Sequence, residues 1–481
     1  MMLLRRSIGC AALLALLSVA ACSTPSTDEA ASASTTSDLT SASASKTLLG
    51  WNAIALDAVA LDSTPVGTGA PHRYGEQPGP ARTARGLAIV HIAIYDAVQS
   101  IAGTYVPYTD MAYDSHANMA AAIGQAAHDT LVVLYPSQSA SFDAALASEL
   151  AVNPAASRDL GVARGKLAAA NILALRDHDG SETPDPSYAA MNLPTGEGMW
   201  APDQISGNPK AVGGYWMKVK PFTMTSADQF RAPPPYAMGS AEWQKDFTDV
   251  VENGGDGVTT PTQRSAENTI VGTFWGYDGA SKIGTPPRLY NQITNVVAEK
   301  RGFTSSPVEM SRLLAVVNTS LADAGIACWD TKYFYNVWRP SNAIRDTPAD
   351  QGGNASFMPL GAMASNTTVP EFTPPFPSYP SGHACFGGAL FEVLGKIVGD
   401  TSFTFVSDEY NGETTDKFGH VRPRTARSYA HLKDAEIENA RSRIFLGVHW
   451  QNDGTEGIAM GNKVGDQLLT NYFQRRTIAA N

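Results

Sequence analysis

Apolar residues recur at intervals of three and four along most of the chain after residue 85, and this spacing limits the fold more than any other feature. It places apolar side chains on one face of an α-helix. No run of alternating apolar and polar residues competes with it, so we predict an all-α fold of packed helical bundles with two four-helix-bundle-like halves. Long Pro- and Gly-rich loops are expected at 181–240 and 347–380. The helical spacing covers these segments: 85–103, 117–135, 138–151, 157–178, 261–277, 288–302, 307–340, the residues after Ser381, 432–446 and 454–474.

The composition permits a large core and disfavours polyanionic partners. The chain has 481 residues, of which 43% are hydrophobic and 17% charged, enough to bury an extensive interior. Its formal net charge is −11, and the sequence has no long run of Lys or Arg. We therefore expect no nucleic-acid partner and no anionic membrane surface. An anion site must come from a local concentration of positive charge.

The N-terminus has the pattern of an export signal. Arg5 and Arg6 precede an apolar stretch of about a dozen residues, which is the length of a signal-peptide core and too short for a membrane span. The sequence LSVAAC also resembles a bacterial lipobox, in which Cys22 becomes the lipidated N-terminus. A plain secretory signal cut near Ala21 is the alternative. We predict a signal peptide at 1–21 and a lipid anchor in the bacterial cell envelope, or otherwise a secreted or periplasmic protein.

A linker and one large domain are predicted after the signal. Residues 22–46 are mostly Ser, Thr, Ala and Asp, which is typical of a flexible linker. One all-α domain is then expected at 47–481. It contains two cysteines, Cys328 and Cys385, and export permits a disulfide without requiring one. A disulfide and two separately buried thiols therefore both remain open.

The stretch YPSGHACFGG, residues 379–388, predicts the N-terminus of a helix. Ser381 is a strong N-cap candidate, and apolar residues with helical spacing follow it. A helix N-terminus presents unpaired N–H groups, and Gly382 has no Cβ to keep an anion away from the backbone. His383 adds a titratable ring at the same place. The alternative interpretation is a loop that ends in an ordinary structural helix cap, without a catalytic role.

The stretch KYFYNVWRP contains two cations in apolar surroundings. Lys332 and Arg339 are seven residues apart in a segment that we predict to be helical up to Pro340. Seven residues is nearly two turns, so both side chains would lie on one face. A solvated helix face is the usual explanation for such a pair. The aromatic and aliphatic neighbours favour an anion held between the two cations instead.

The stretch RSRIFLGVHWQND, residues 441–453, adds Arg443, His449 and Asp453 in an apolar, helix-like run. A carboxylate four residues after a histidine can hold one ring nitrogen and leave the other basic. The alternative is a histidine satisfied within the core. Three such patterns in one chain favour a shared anion site.

In order, K-x6-R-P, P-S-G-H and S-R-x5-H-x3-D resemble the shared signature of the vanadium-dependent haloperoxidases and the type 2 phosphatidic acid phosphatases. The resemblance spans about 332–453 and implies vanadate or phosphate as the anion, since the two share shape and charge. It implies His449 as the metal ligand for vanadate and catalytic roles for His383, Lys332 and Asp453. The oxyanion-binding residues that it implies are these: Lys332, Arg339, Ser381, Gly382, Arg443 and His449.

Features outside the three motifs favour the haloperoxidases, and the chloroperoxidases among them. The lipid phosphatases of this group span the membrane several times, whereas this chain has no such segments. The soluble phosphatases are much shorter. The run FTPPFPSYPSGHACFGGA resembles haloperoxidase sequence, and Trp329 and Phe376 resemble the chloroperoxidase halide pocket, with core packing as the alternative.

The resemblance thus implies an exported vanadate-dependent haloperoxidase with its oxyanion site within 329–453. Hydrogen peroxide would oxidise halide to hypohalous acid, with an organic acceptor as a further partner. Vanadium would act as a Lewis acid, Lys332 would polarise the peroxide and His383 would transfer protons. One alternative is a soluble acid phosphatase with a phosphohistidine at His449. The other is a binding protein without turnover, although simple binding needs neither His383 nor Asp453.

Overall fold

The computed structural model describes residues 27–66, 72–153, 155–368 and 372–477. A two-stranded antiparallel sheet, β1 (Phe403–Val406) and β2 (Ala426–Tyr429), is the only sheet in these ranges, and Phe403 pairs with Tyr429. The prediction of a mainly helical fold is therefore confirmed. The same ranges contain fourteen α-helices: α1 (Thr27–Asp62), α2 (Gly79–Ala102), α3 (Met119–Leu134), α4 (Ser139–Leu150), α5 (Ala155–Arg176), α6 (Tyr188–Met191), α7 (Ala241–Asn253), α8 (Ala266–Phe274), α9 (Pro286–Lys300), α10 (Pro307–Tyr335), α11 (Pro340–Asp346), α12 (Gly382–Val398), α13 (Leu432–Phe445) and α14 (Gln451–Asn471).

Helix α1 overlaps the segment predicted as a flexible linker. The structure is helical from Thr27 onward and thus differs from the linker prediction for 22–46. No glycine or proline interrupts that segment after Thr27, and its Ala, Ser and Thr residues are compatible with a helix. Ala44, Leu48 and Trp51 are buried at helical spacing, so the end of the segment belongs to the core.

The main compact unit begins at Ser41, slightly before the predicted boundary at residue 47, and the described residues before it, 27–40, belong to a separate unit. The predicted signal peptide at 1–21 and Cys22 lie outside the described residues. Within the described ranges, none of the helices combines the length and apolar character required to cross a membrane.

The helices pack in two groups that meet along α2 and α10. In the first group, α2 packs on α3 and α5, and α3 packs on α4. In the second group, α12 packs on α10, α13 and α14. The contact between α2 and α10 joins the groups into one core, in line with the bundle-like halves predicted. The candidate site residues all belong to the second group and its connections.

The segment that carries Lys332 and Arg339 is broken, so the prediction of one helix ending at Pro340 was wrong. Helix α10 ends at Tyr335, and Asn336 caps it in the left-handed conformation with φ 51°. Pro340 then begins α11, with Arg339 as its N-cap. Asparagine tolerates the left-handed conformation, and proline suits the first helical position because the N–H missing there has no helical partner.

The segment around His449 is also broken, so the prediction of one helix-like run was wrong. Helix α13 ends at Phe445, and a turn that contains Gly447 leads into α14. Gly447 has φ 71°, and a Cβ there would come within 2.6 Å of the Gly254 carbonyl oxygen, so the turn requires glycine. His449 thus lies in the turn, and Asp453 lies in the first turn of α14.

Helix α12 begins at Gly382 with Ser381 at its N-cap, which confirms the prediction from YPSGHACFGG. Cys328 on α10 and Cys385 on α12 are both free and fully buried. The Cys328 thiol donates to the Pro380 carbonyl, two residues before α12 begins, so the motif segments on the two helices are adjacent. Of the two alternatives, the structure shows thiols rather than a disulfide.

Candidate active site

Two of the three predicted motifs line one cavity of about 380 Å³, and Arg339 of the remaining motif contacts the lining residue His449. Gly382, His383, Arg443 and His449 all contribute to its lining. These residues come from the start of α12, from α13 and from the turn before α14, so packing of the second helical group assembles the cavity.

His449 is held in one tautomer by two charged partners. Its Nδ1 lies 2.8 Å from Asp453 Oδ2, and its Nε2 lies 2.9 Å from Arg339 Nη1. A guanidinium only donates, so Nε2 accepts and Nδ1 carries the proton that it donates to Asp453. Burial, together with the nearby cations, holds the pKa of His449 well below its usual range. The ring is therefore neutral, with its Nε2 lone pair on the side of Arg339.

Asp453 fixes this arrangement from the other side of the ring. Its Oδ2 also accepts hydrogen bonds from the Ser378 hydroxyl and, at 3.1 Å, from the Trp450 backbone N–H. Burial raises the pKa of Asp453 to about 6 despite these donors. The predicted His449–Asp453 pair is thus present, although a turn rather than a continuous helix brings the two together.

Arg339 is buried against backbone carbonyls and keeps one donor atom unused. Its Nε donates to the Phe376 carbonyl at 2.9 Å, and its Nη1 donates to the Val448 carbonyl at 2.8 Å. Among the described residues, its Nη2 has no hydrogen-bond partner although it is buried. Burial lowers the pKa of Arg339 to about 9, so the guanidinium remains charged at neutral pH.

Arg443 is oriented by a carboxylate that the sequence analysis missed. Its Nη2 and Nη1 donate to the two oxygens of Asp278 at 2.7 and 3.1 Å, and both side chains are buried. Asp278 also lines the cavity. It precedes Arg443 by 165 residues and belongs to none of the three motifs, so no spacing signal could have identified it.

The donor set fits a tetrahedral oxyanion. Arg339 Nη2, Arg443 Nε and Ser381 Oγ are all buried without a partner in the part of the chain that the structure describes. Each unpaired buried donor costs about 1–3 kcal/mol, and an oxyanion would satisfy all three. Gly382 opens α12, where the first N–H groups have no helical partner. The described residues contain no group of three or more His, Cys, Asp or Glu side chains that could hold a metal cation.

Lys332 lies at the site, but its ammonium group faces the backbone. The Nζ donates to the carbonyls of Pro377, at 3.0 Å, Ser378, at 2.9 Å, and Pro380, which uses all three N–H groups. This differs from the direct bond to the anion predicted for Lys332. A fully buried ammonium needs acceptors, and the loop that leads into α12 supplies them. Burial lowers the pKa of Lys332 to about 8, so at neutral pH it contributes mainly positive charge.

His383 presents one ring nitrogen to the protein backbone. Its Nε2 lies 2.8 Å from the Gly276 carbonyl and 3.0 Å from the Trp275 carbonyl. Both partners are acceptors, so Nε2 carries the proton and Nδ1 has a free lone pair. The ring lines the cavity, where Nδ1 can take up a proton. Burial, together with Arg443, lowers the pKa of His383 to about 4.

We expect the His383 ring of the vanadate-free protein to stay neutral at pH 6 and to become charged only near pH 4. The unfolded chain protonates this ring at about 6.5. The contribution of the neutral His383 ring to the free energy of unfolding should therefore fall as the pH drops from 6.5 towards 4. Histidine NMR signals, assigned with a His383→Gln variant, give the midpoint. A midpoint above pH 6 would contradict the expected burial.

Trp329 and Phe376 lie together at the cavity wall. Their ring centroids are 5.1 Å apart, with the planes at 55°, and both residues line the cavity. The Trp329 Nε1 donates to the Val212 carbonyl at 3.0 Å, which fixes the orientation of the indole. The positively charged Lys332 Nζ lies 5.1 Å from the Phe376 ring centroid. The structure thus brings both predicted pocket residues to the cavity.

Comparison with known sequences identifies similar proteins. The sequence profile of the VCPO second helical-bundle domain matches residues 312–476. The vanadium chloroperoxidase of Curvularia inaequalis is 35% identical over 266 residues, which cover 48% of this chain and 44% of that protein. This chain therefore spans less than half the length of that relative.

Comparison with solved structures identifies the fold. A bacterial vanadium-dependent iodoperoxidase matches with a TM-score of 0.70 at 23% identity, over 89% of this chain and 97% of that one. The holo form of a bacterial vanadium-dependent chloroperoxidase matches with a TM-score of 0.63 at 17% identity, over 84% of this chain and 95% of that one. Residues 312–476 are thus similar to the second helical-bundle domain of VCPO, and the chain shares the fold of the two solved structures.

Proposed function

We propose that this protein is a vanadate-dependent haloperoxidase that uses hydrogen peroxide to oxidise halide to hypohalous acid. The observation that carries the proposal is a group of three buried donors, on Arg339, Ser381 and Arg443, that have no partner in the described part of the chain. They accompany a neutral His449 whose ring a carboxylate holds. The relatives named above support it, because each is a vanadium haloperoxidase.

The proposed vanadate-binding residues follow from the donor set. His449 would supply Nε2 as the metal ligand once Arg339 Nη1, which donates to that nitrogen in this structure, turns to a vanadate oxygen. Asp453 holds the ring in the required tautomer. The arginine N–H groups, the Ser381 hydroxyl and the backbone at Gly382 would hold the oxygens. When bound, vanadate supplies a Lewis-acid centre that activates hydrogen peroxide towards attack by halide.

Other residues of the chain serve proton transfer and charge. His383 Nδ1 accepts and returns protons as the general acid–base, with the carbonyls of Trp275 and Gly276 orienting the ring. Lys332 places a positive charge next to the site and so stabilises negative charge that develops there during the reaction. Trp329 and Phe376 form the apolar wall of the halide and acceptor pocket. An organic acceptor would react with the hypohalous product.

One vanadate is expected to bind per chain in competition with phosphate, because the donors recognise tetrahedral oxyanion geometry rather than a particular central atom. Isothermal calorimetry with chelator-free protein gives the stoichiometry and the competition. Assays with peroxide and bromide, run beside a phosphatase assay, then test turnover. Absence of vanadate binding would overturn the proposal. Phosphate-ester hydrolysis without halide oxidation would instead indicate a soluble phosphatase with a phosphohistidine at His449.

We also propose export to the bacterial cell envelope with a lipid anchor at Cys22. The support is the sequence alone: two arginines, a short apolar core and the lipobox-like LSVAAC. Mass spectrometry of the mature N-terminus checks this proposal. A mature chain that begins with an unmodified residue would indicate a secreted or periplasmic protein instead.

A further inference from the structure

One short turn controls the orientation of His383. The residues that end and follow helix α8, here called the α8 turn (274–278), pass directly beside the site. Two successive carbonyls of this turn, those of Trp275 and Gly276, accept the hydrogen bonds from His383 Nε2 at 3.0 and 2.8 Å. A shift of the turn would therefore rotate the ring or change its distance from the cavity.

The same turn controls the orientation of Arg443. Asp278, the last residue of the α8 turn, binds both terminal nitrogens of Arg443 at 2.7 and 3.1 Å. That pairing leaves Arg443 Nε as the unpartnered donor among the described residues. The α8 turn thus orients an anion donor and the proposed proton-transfer group at the same time.

The α8 turn has a backbone conformation that neighbouring groups must maintain. Tyr277 has φ 48°, although it is not glycine, and its side chain is fully buried. Such a conformation persists only where surrounding contacts hold it. The Tyr277 hydroxyl donates to Gln292 Oε1 at 2.8 Å and accepts the Asp408 N–H at 2.8 Å.

Glu409 contacts the backbone of the turn directly. Its Oε1 accepts the Tyr277 N–H at 3.2 Å, and a Cβ built on Gly276 would lie 3.0 Å from the same oxygen. Its Oε2 accepts from Arg422 Nη1 at 2.7 Å and from the Ser365 hydroxyl. Glu409 is only 1% exposed, so these contacts define its position.

We propose that Glu409 is a positioning residue of the oxyanion site. Anchored by Arg422 and Ser365, its carboxylate holds the α8 turn in the conformation that orients His383 and Arg443. Glu409 lies outside the three sequence motifs and does not itself line the cavity among the described residues. The inference rests on the proposed function, because it concerns how the anion donors of that function are aligned.

The test is the vanadate affinity of a Glu409→Gln variant, measured by calorimetry. Glutamine keeps the size of the side chain, but its amide cannot accept from Arg422, Ser365 and Tyr277 together. Loss of such a supporting contact typically weakens metal binding about 10–100-fold, and we expect about 10-fold here. Turnover at saturating vanadate should also fall, with the KM for peroxide changed less than about two-fold, because His383 transfers protons rather than binding peroxide.

Asp96→Asn is the matched control. Asp96 is a fully buried carboxylate on α2 that likewise accepts backbone N–H groups, those of Tyr108 and Thr109 at 2.6 and 2.8 Å. Burial raises its pKa to about 7, as it does for Glu409. Asp96 lies in the first helical group, so its variant should lose stability and retain the parent vanadate affinity.

The outcomes separate the inference from the proposed function. If the parent protein fails to bind vanadate, both are overturned. If the parent binds vanadate and Glu409→Gln binds it equally well, or Asp96→Asn loses as much affinity, the inference alone is overturned. If Glu409→Gln does not fold, Ser365→Ala removes one anchor of the carboxylate. A weaker loss in the same direction then supports the inference, and an unchanged affinity contradicts it.

Discussion

Replacing His449 by alanine is expected to abolish tight retention of vanadate, whereas replacing His383 by alanine should leave vanadate bound and lower turnover by about 10²–10⁴-fold. The asymmetry follows from the geometry. His449 Nε2 carries the unprotonated lone pair that would bind vanadium in place of the Arg339 N–H, so loss of the ring removes a ground-state bond. His383 donates from Nε2 to the backbone, and its Nδ1 can transfer protons and so lower the activation barrier of the reaction. Vanadium content after gel filtration, measured beside steady-state peroxidase rates, gives both quantities.

His91→Ala is the control for the removal of a buried imidazole. His91 is 1% exposed on α2, and burial lowers its pKa to about 3, so it resembles the two site histidines in environment. It lies in the first helical group, away from the cavity lining. Its variant should lose stability while retaining vanadate. Equal loss of vanadate from the His449 and His383 variants would contradict the assigned roles.

Asp453→Ala is expected to weaken vanadate binding by about 10–100-fold without removing a residue that contacts the anion. The carboxylate fixes His449 in the tautomer that leaves Nε2 unprotonated, and it also accepts from Ser378 and Trp450. Without it, the ring can rotate or exchange its proton to Nε2, and either change removes the lone pair from the site. Calorimetric titration with vanadate measures the loss.

Asp246→Ala provides the comparison for Asp453. Asp246 is also buried, and its carboxylate accepts the backbone N–H of Asn452 at 2.8 Å, one residue before Asp453. It supports the same helix start but has no contact with His449 among the described interactions. A loss of vanadate affinity in Asp246→Ala as large as in Asp453→Ala would mean that the start of α14, rather than the histidine tautomer, sets the affinity.

Interactions between residues close in sequence were predictable, because short spacing and helix capping rules restrict the geometry. Ser381 at the start of α12 and Asp453 beside His449 are examples. The breaks within two of the motif segments were not predicted. Asn336 and Gly447 adopt left-handed conformations. Asparagine and glycine also occur within helices and loops in other conformations, so the residue types alone do not indicate a break. Only the packed structure shows that the chain must turn there.

Residue types and short spacings predicted the helical class of the fold and the motif residues that the structure brings together, because both depend on local sequence. Only the packing of distant segments determines which atoms of those residues are free to bind a ligand. Lys332 loses its N–H groups to carbonyls 45 to 48 residues away, and Asp278 orients Arg443 from 165 residues away. Such pairings depend on how distant segments pack, since a buried charge must find its partners wherever the fold places them.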